Sequence, residues 1–184
     1  MHLEVEQKFP LAHPQGVIDK LAGLGVALPA AVEQADLYFN HPAKNFKETD
    51  EALRIRREGE KNRITYKGPK LDAQTKTRRE IELPLADGDE AFRQFAELLV
   101  VLGFVRVFEV RKRRQEVEIT WKEQRVHVAL DDVTGLGRFV ELEISAGSEQ
   151  LAAAKACLAS LAEFLNLHDS ERRGYLDLLL ENLV

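Results

Sequence analysis

The stretch Glu4-Val5-Glu6-Gln7-Lys8 sets two carboxylates and a lysine at alternate positions. In an extended chain alternate side chains share a face, so Glu4, Glu6 and Lys8 point one way while Leu3, Val5 and Phe9 point the other. Two acids that close repel each other in a dry interior. The set makes chemical sense with a metal ion on the acids and an anion on the lysine. The pattern recurs along the chain. Arg54 and Arg56 oppose Leu53 and Ile55, and Arg63 and Lys67 oppose Ile64 and Tyr66. Arg78, Glu80 and Glu82 oppose Ile81 and Leu83, while Lys112, Arg114, Glu116 and Glu118 oppose Val117, Ile119 and Trp121. His127 and Asp131 oppose Val126, Val128 and Leu130, and Glu141 and Glu143 oppose Val140, Leu142 and Ile144.

One reading is an ordinary one-sided antiparallel sheet with its charges in solvent. The other is that the charged faces converge. Ordinary surfaces mix Ser, Thr, Gln and Asn with their charges, whereas here ionised pairs recur at i, i+2 with little else. An enclosed lining of both signs is costly unless something uses it, because desolvating each ion costs several kcal/mol. A chain of phosphates with divalent metal satisfies both signs. Arginine and lysine take phosphate oxygens, arginine in a bidentate way, and carboxylates hold Mg²⁺ or Mn²⁺. Lining this dense suits a triphosphate better than a single phosphate.

The elements that must carry these residues are strands interspersed with helices, an α+β pattern. Strands are expected at Leu3–Phe9, Asp36–Asn40, Ala52–Arg57, Arg63–Lys67, Arg78–Leu83, Phe104–Arg114, Val117–Lys122, Arg125–Asp131 and Phe139–Ser145, with the pair Phe104–Arg114 and Val117–Lys122 readable as one long strand. A helix follows Pro14 and stops at Gly25. A second is capped by Asp87 and stops at Gly103, and two more run over Ser148–Leu165 and Ser170–Leu183. About eight strands are enough for a sheet to close on itself, with the charges inside and the helices outside. The expected fold is therefore an eight-stranded antiparallel closed β-barrel with helices packed outside, built as one domain over residues 1–184. Arg111 and Arg113 fall opposite Lys112 and Arg114, so a bulge here would exchange the two basic pairs.

Composition bounds the function. The formal net charge is −5, which excludes the general basic field of a duplex nucleic-acid binder. Cys157 is the single cysteine, so no internal disulfide forms, as suits a reducing cytosol. No charged-then-apolar leader and no run of membrane-spanning length occurs, and the expected placement is cytoplasmic. A homodimer stays open.

Read in order, these segments resemble the CYTH superfamily, the triphosphate tunnel metalloenzymes. Glu4-Val5-Glu6-Gln7-Lys8 resembles its E-x-E-x-K signature and Asp36-Leu37-Tyr38-Phe39 its D-x-Y-F strand. Leu53-Arg54-Ile55-Arg56 and Lys67-Gly68 are similar to its L-R-x-R and K-G strands. Arg78-Arg79-Glu80-Ile81-Glu82 resembles R-x-E-x-E, and Lys112-Arg113-Arg114 its K-x-R pair. Asp131 to Glu143 resembles D-x-x-x-G-L-G-x-F-x-E-x-E, and Arg173-Gly174-Tyr175 stands where the family has R-S-Y. The resemblance implies a closed eight-stranded barrel whose lumen binds a triphosphate and one or two Mg²⁺ or Mn²⁺ ions. It implies Glu4, Glu6, Asp131, Glu141 and Glu143 as metal ligands, and Lys8, Arg54, Arg56, Lys67, Lys112 and Arg114 as phosphate ligands. Glu80, Glu82 and Arg173 would support them, and Lys8, Glu4 and Glu6 would serve catalysis. The implied partner is a nucleoside or other organic triphosphate, or inorganic tripolyphosphate.

Two chemistries run on this lining in the superfamily. A class IV adenylate cyclase directs the ribose 3′-oxygen of ATP at the α-phosphorus and releases pyrophosphate. A triphosphatase directs water at a terminal phosphorus of thiamine triphosphate or tripolyphosphate. The K-G-P and T-G-L-G details resemble the cyclase branch most. A non-catalytic polyphosphate-binding module is the third reading. Trp121 could stack on a base, but its apolar-side position fits packing against a helix. His127 fits an ordinary hydrogen-bonded histidine. Lys70 and Lys76 sit in a loop long enough to close over a tunnel mouth, with a solvated loop as the default reading.

Overall fold

The apolar faces of the strands need cover, and the chain supplies it with helices on the convex side of one curled sheet. The structure, a computed structural model, describes residues 2–71 and 75–183. The strands are β1 (His2–Pro10), β2 (Val32–Asn40), β3 (Ala52–Glu58), β4 (Lys61–Lys67), β5 (Glu80–Pro84), β6 (Val105–Trp121), β7 (Gln124–Val133) and β8 (Gly137–Gly147). They form an eight-stranded antiparallel sheet in the order β1-β8-β7-β6-β2-β3-β4-β5. The helices are α1 (Gln15–Gly23), α2 (Asp89–Val101), α3 (Leu151–Leu165) and α4 (Tyr175–Glu181). Among the described residues no helix is long and apolar enough to cross a membrane.

Residues 105–121 form one continuous strand, and the exposed flanks of Arg111 and Arg113 settle the register of the basic run. The bulge lies elsewhere, on the β2–β6 pairing between Leu37 and Phe39. Strand β2 starts four residues earlier than its D-x-Y-F stretch, because Val32 to Ala35 pair with Arg114 to Arg111.

The expected closed barrel is corrected to a curled half-barrel. Strand β5 has five residues and shares no ladder with β1, the other edge of the sheet. Among the described residues, the two edges meet through the segment before β5, at the isolated bridge Glu4↔Arg78. There Glu4 N–H donates to the Arg78 carbonyl and Arg78 N–H to the Glu4 carbonyl, both at 3.2 Å. A short edge strand entered by a loop cannot supply a longer ladder.

Three apolar clusters hold the sheet. On the convex side, Val17 and Leu21 of α1 and Leu158, Leu161 and Leu165 of α3 cover Val5, Val126, Val128, Val140 and Leu142. Ala96 and Leu99 of α2 cover Phe39, Leu53 and Ile55. At about 1.5–3 kcal/mol for each large apolar side chain buried, these stripes are core and not a cofactor box. Trp121 belongs to this packing: its ring lies 4.9 Å from that of Phe164 and its Nε1 is 3.4 Å from Ser160 Oγ. The third cluster is on the concave side, where Tyr38, Val110, Val133 and Phe139 meet Tyr175 and Leu179 of α4. Helix α4 is shorter than its expected Ser170–Leu183 span because the residues before it have another task. Glu171 N–H donates to the Lys8 carbonyl at 2.7 Å, and the Arg173 carbonyl accepts from Lys8 Nζ at 2.5 Å.

Candidate active site

The concave face encloses a cavity of about 530 Å³. Strand parity explains its lining. Glu4, Glu6 and Lys8 enter from β1, Arg54 and Arg56 from β3, and Lys67 from β4. Glu80 and Glu82 enter from β5, Lys112 and Arg114 from β6, and Glu141 and Glu143 from β8. Cross-strand register aligns them, with Glu6 opposite Glu143 and Lys8 opposite Glu141. Asp131 lies beneath this lining and is 2% exposed. Arg173 reaches the site through its carbonyl alone, since its guanidinium stands at the surface on Glu171 and Glu181.

Most of the basic residues are held by acids. Asp36 sits between Arg54, at 3.0 Å, and Arg56, which grips it through two bonds of 2.6 and 2.7 Å. Burial works against the Asp36 charge, but these two guanidiniums outweigh it and hold the carboxyl far below the ordinary range. Asp131 accepts from Lys112 at 2.9 Å, from Arg114 at 2.5 and 2.7 Å, and from the Tyr175 hydroxyl at 2.9 Å. Arg114 also bonds Glu141. Asp131 and Glu141 are buried, which favours their neutral forms, yet Lys112 and Arg114 keep both carboxyls lowered. Glu80 bonds Lys67 and accepts from Arg78 at 3.2 Å, while Glu82 accepts from Arg63 and Thr65. Asp131 and Glu141 therefore stand as partners of cations, with little of either carboxylate left over.

The remaining acids are crowded. Burial, then Glu143 and Glu80, push Glu4 up to about 9. Burial, then Glu6, push Glu143 up to about 7. Two carboxyls raised to near neutral pH or above, on adjacent strands with Glu6 beside them, face too little positive charge: Lys67, 3.9 Å from Glu4, offsets only part of the crowding. An oxygen-only donor set of this kind fits a hard divalent cation. Among the described residues, however, no three acid, histidine or cysteine side chains converge closely enough to hold a metal as they stand. Glu6 is instead paired with Lys76, whose ammonium bonds it at 2.6 Å.

For Lys76 the default reading of a solvated loop is corrected. Its side chain is 5% exposed, not solvated. Burial opposes its charge, but Glu6 and Glu141 raise its pKa, so it is an ammonium ion. Lys70 keeps to the mouth, bonded to Asp50. Lys8 differs from all of these. It is 1% exposed and bonds a carbonyl instead of a carboxylate. Its Nζ lies 4.1 Å from the Tyr175 ring centroid. Burial, then the Lys76 charge, lower it to about 7. Lys112, 5.2 Å from the same ring, is lowered to about 8 by burial and then by Arg114. The same cavity is also lined by the apolar side chains Tyr38, Phe46, Val107, Leu176 and Leu180, beside the polar Asn45, Asp50 and Lys70. His127 stands at the rim, half exposed, 3.4 Å from Glu118.

The CYTH domain model matches residues 2–175. The chain belongs to the CYTH domain family. Among its CYTH relatives, the Methanocaldococcus jannaschii protein named "Putative adenylate cyclase MJ0240" is 41% identical over 143 residues, covering 78% of this chain and 77% of that one. The structure of the PH1819 protein from Pyrococcus horikoshii superposes with a TM-score of 0.83 at 35% identity, covering 97% of this chain and 99% of the other. HpAC1 from Hippeastrum, described as a putative adenylyl cyclase with a dominant triphosphatase activity, shares the fold with a TM-score of 0.61. Its identity is 19%, over 95% of this chain and 91% of its own. Asp36, Arg78 and Tyr175 join the candidate site here. The parity of Asp36 and Arg78 was legible, whereas Tyr175 reaches the cavity only because α4 folds back over it.

Proposed function

We propose that this CYTH protein binds an organic triphosphate along the ionic cavity and cleaves it with a divalent metal, as an adenylate cyclase acting on ATP. The observation that carries the reading is that the acid-and-base lining and a set of apolar side chains share one cavity. Arg54, Arg56, Lys67, Lys112 and Arg114 would take phosphate oxygens and neutralise charge as the phosphorus–oxygen bond breaks. Glu4, Glu6 and Glu143 would hold Mg²⁺ or Mn²⁺, with Glu141 and Asp131 keeping the basic residues charged and aimed. The bound metal supplies Lewis acidity toward the phosphate oxygens and lowers the pKa of the attacking hydroxyl. Tyr38, Phe46 and Leu176 would cover the base. The adenylate cyclase name of the relative at 41% identity supports this choice.

One observation favours hydrolysis instead. A buried lysine lowered to about 7 is neutral often enough at physiological pH to accept a proton from water. Incubation with ATP, thiamine triphosphate and tripolyphosphate, each with Mg²⁺ or Mn²⁺, separates the two readings. Cyclic AMP with pyrophosphate is expected. Orthophosphate from all three, without cyclic AMP, overturns the cyclase reading in favour of a triphosphatase. Binding without turnover leaves a polyphosphate-binding module.

A further inference from the structure

The segment before β5 lies alongside β1 and delivers a cation into the acid sector. The Glu4↔Arg78 bridge fixes one end, and Lys76 N–H donates to the Glu6 carbonyl at 3.1 Å. Thr75 and Thr77 are buried with their hydroxyls 2.6 Å apart, so the backbone around Lys76 is tied on both sides. The Lys76 side chain is thereby laid on Glu6, the acid between Glu4 and Glu143. The titratable groups around it are Glu6, Glu141, Lys8 and Arg78. Lys8 bonds the Arg173 carbonyl and lies over the Tyr175 ring, close enough for the Lys76 charge to act on it. Lys76 thus supplies the cation that bonds Glu6.

A divalent ion on Glu6 competes with the Lys76 ammonium for Oε1 and repels its like charge across a few ångströms of buried space. That repulsion favours moving the Lys76 head group aside. Its long flexible stem permits this, and the cavity into which it would move is the one proposed to receive phosphate.

We propose that Lys76 is a resident counter-ion of the metal seat, which yields Glu6 to the divalent cation and then binds a triphosphate oxygen. This rests on the metal-and-triphosphate reading above. Lys76 would make metal binding weak without triphosphate and strong with it, so that the two ligands favour each other.

The test is equilibrium Mn²⁺ binding, followed by electron paramagnetic resonance, with and without tripolyphosphate, for the wild type, Lys76→Met, Lys76→Gln and Lys76→Arg. Without tripolyphosphate, the two neutral variants are expected to bind Mn²⁺ about tenfold more tightly than the wild type, an ordinary size for coupling between two sites. With Mn²⁺ present, they should bind tripolyphosphate about tenfold more weakly, and Lys76→Arg should stay near the wild type. Equal or weaker Mn²⁺ binding by a folded neutral variant overturns the proposal while the metal-and-triphosphate reading stands. The glutamine variant serves if the methionine variant does not fold. Failure of the wild type to bind Mn²⁺ either with or without tripolyphosphate overturns both.

Discussion

At the scale of single residues, the site divides acids gripped by guanidiniums from Glu4, Glu6 and Glu143, which would hold the metal, and substitutions should sort accordingly. Glu6→Gln or Glu4→Gln should leave the far-ultraviolet circular dichroism unchanged and lower Mg²⁺-dependent turnover by roughly 100-fold or more, as expected when a metal ligand is lost. Unchanged turnover with Mg²⁺ would refute the metal role. Arg56→Ala should weaken tripolyphosphate binding far more than orthophosphate binding, as titration calorimetry can show, and equal losses would argue against several phosphates in one row. Arg54 remains on Asp36 in that variant, so the fold should survive. Asp36→Asn is different. It leaves two buried guanidiniums without their carboxylate and should cost about 3–5 kcal/mol in urea denaturation. Most of this was legible, because alternation puts every second residue of a strand on one face. Lys76 was not. Irregular backbone has no period, so no spacing rule could turn its side chain inward.

At the scale of elements, α4 and the turn between β7 and β8 depend on each other. Gly135 has a φ of 83°, and a Cβ built on it would lie 3.2 Å from Leu179 Cδ2. A side chain there meets both a backbone conformation that disfavours L residues and the helix that closes the concave cluster. Gly135→Ala should destabilise the protein by about 1–2 kcal/mol and speed hydrogen exchange in residues 175–181 more than in α3. Uniform exchange across both helices would mean that the turn does not seat α4. The same region shows what the sequence concealed. Its G-L-G turn was visible, but the helix that requires it lies 40 residues on, and a contact of that range leaves no local pattern.

For the whole molecule, the two classes of acid give opposite pH dependences. Asp36, Asp131 and Glu141 have folded values below their unfolded ones, so the unfolded chain binds more protons. The stability they contribute is present above the unfolded carboxylate range and lost as pH falls through the lowered folded values. Glu4 and Glu143 run the other way. Their folded values, about 9 and about 7, exceed the ordinary 4.5, so stability falls as pH rises from 4.5 through those values. Glu4 is a third exposed, so its share is discounted to the order of 1 kcal/mol. Lys8 and Lys112, lowered to about 7 and about 8, bind fewer protons folded than unfolded above those values and so offset the fall at higher pH. Metal-free protein should therefore lose melting temperature mainly between about pH 5 and pH 7, and Glu4→Gln should recover part of the loss. Mn²⁺ with tripolyphosphate at about 100 times Kd should add about 2.7 kcal/mol. A fall over about pH 5–7 identical in wild type and Glu4→Gln would show that the acids are not crowded.

The sequence by itself determined which residues face together, because side-chain alternation is a property of the extended chain and needs no partner strand. It also carried the family, since the ordered motifs record the strands that must line one cavity. The tertiary structure decided how far the sheet closes, which acids already hold a cation, and that Lys76 lies on Glu6. Those outcomes depend on where distant segments meet in space, and electrostatic pairing across strands acts through distances that no local spacing encodes.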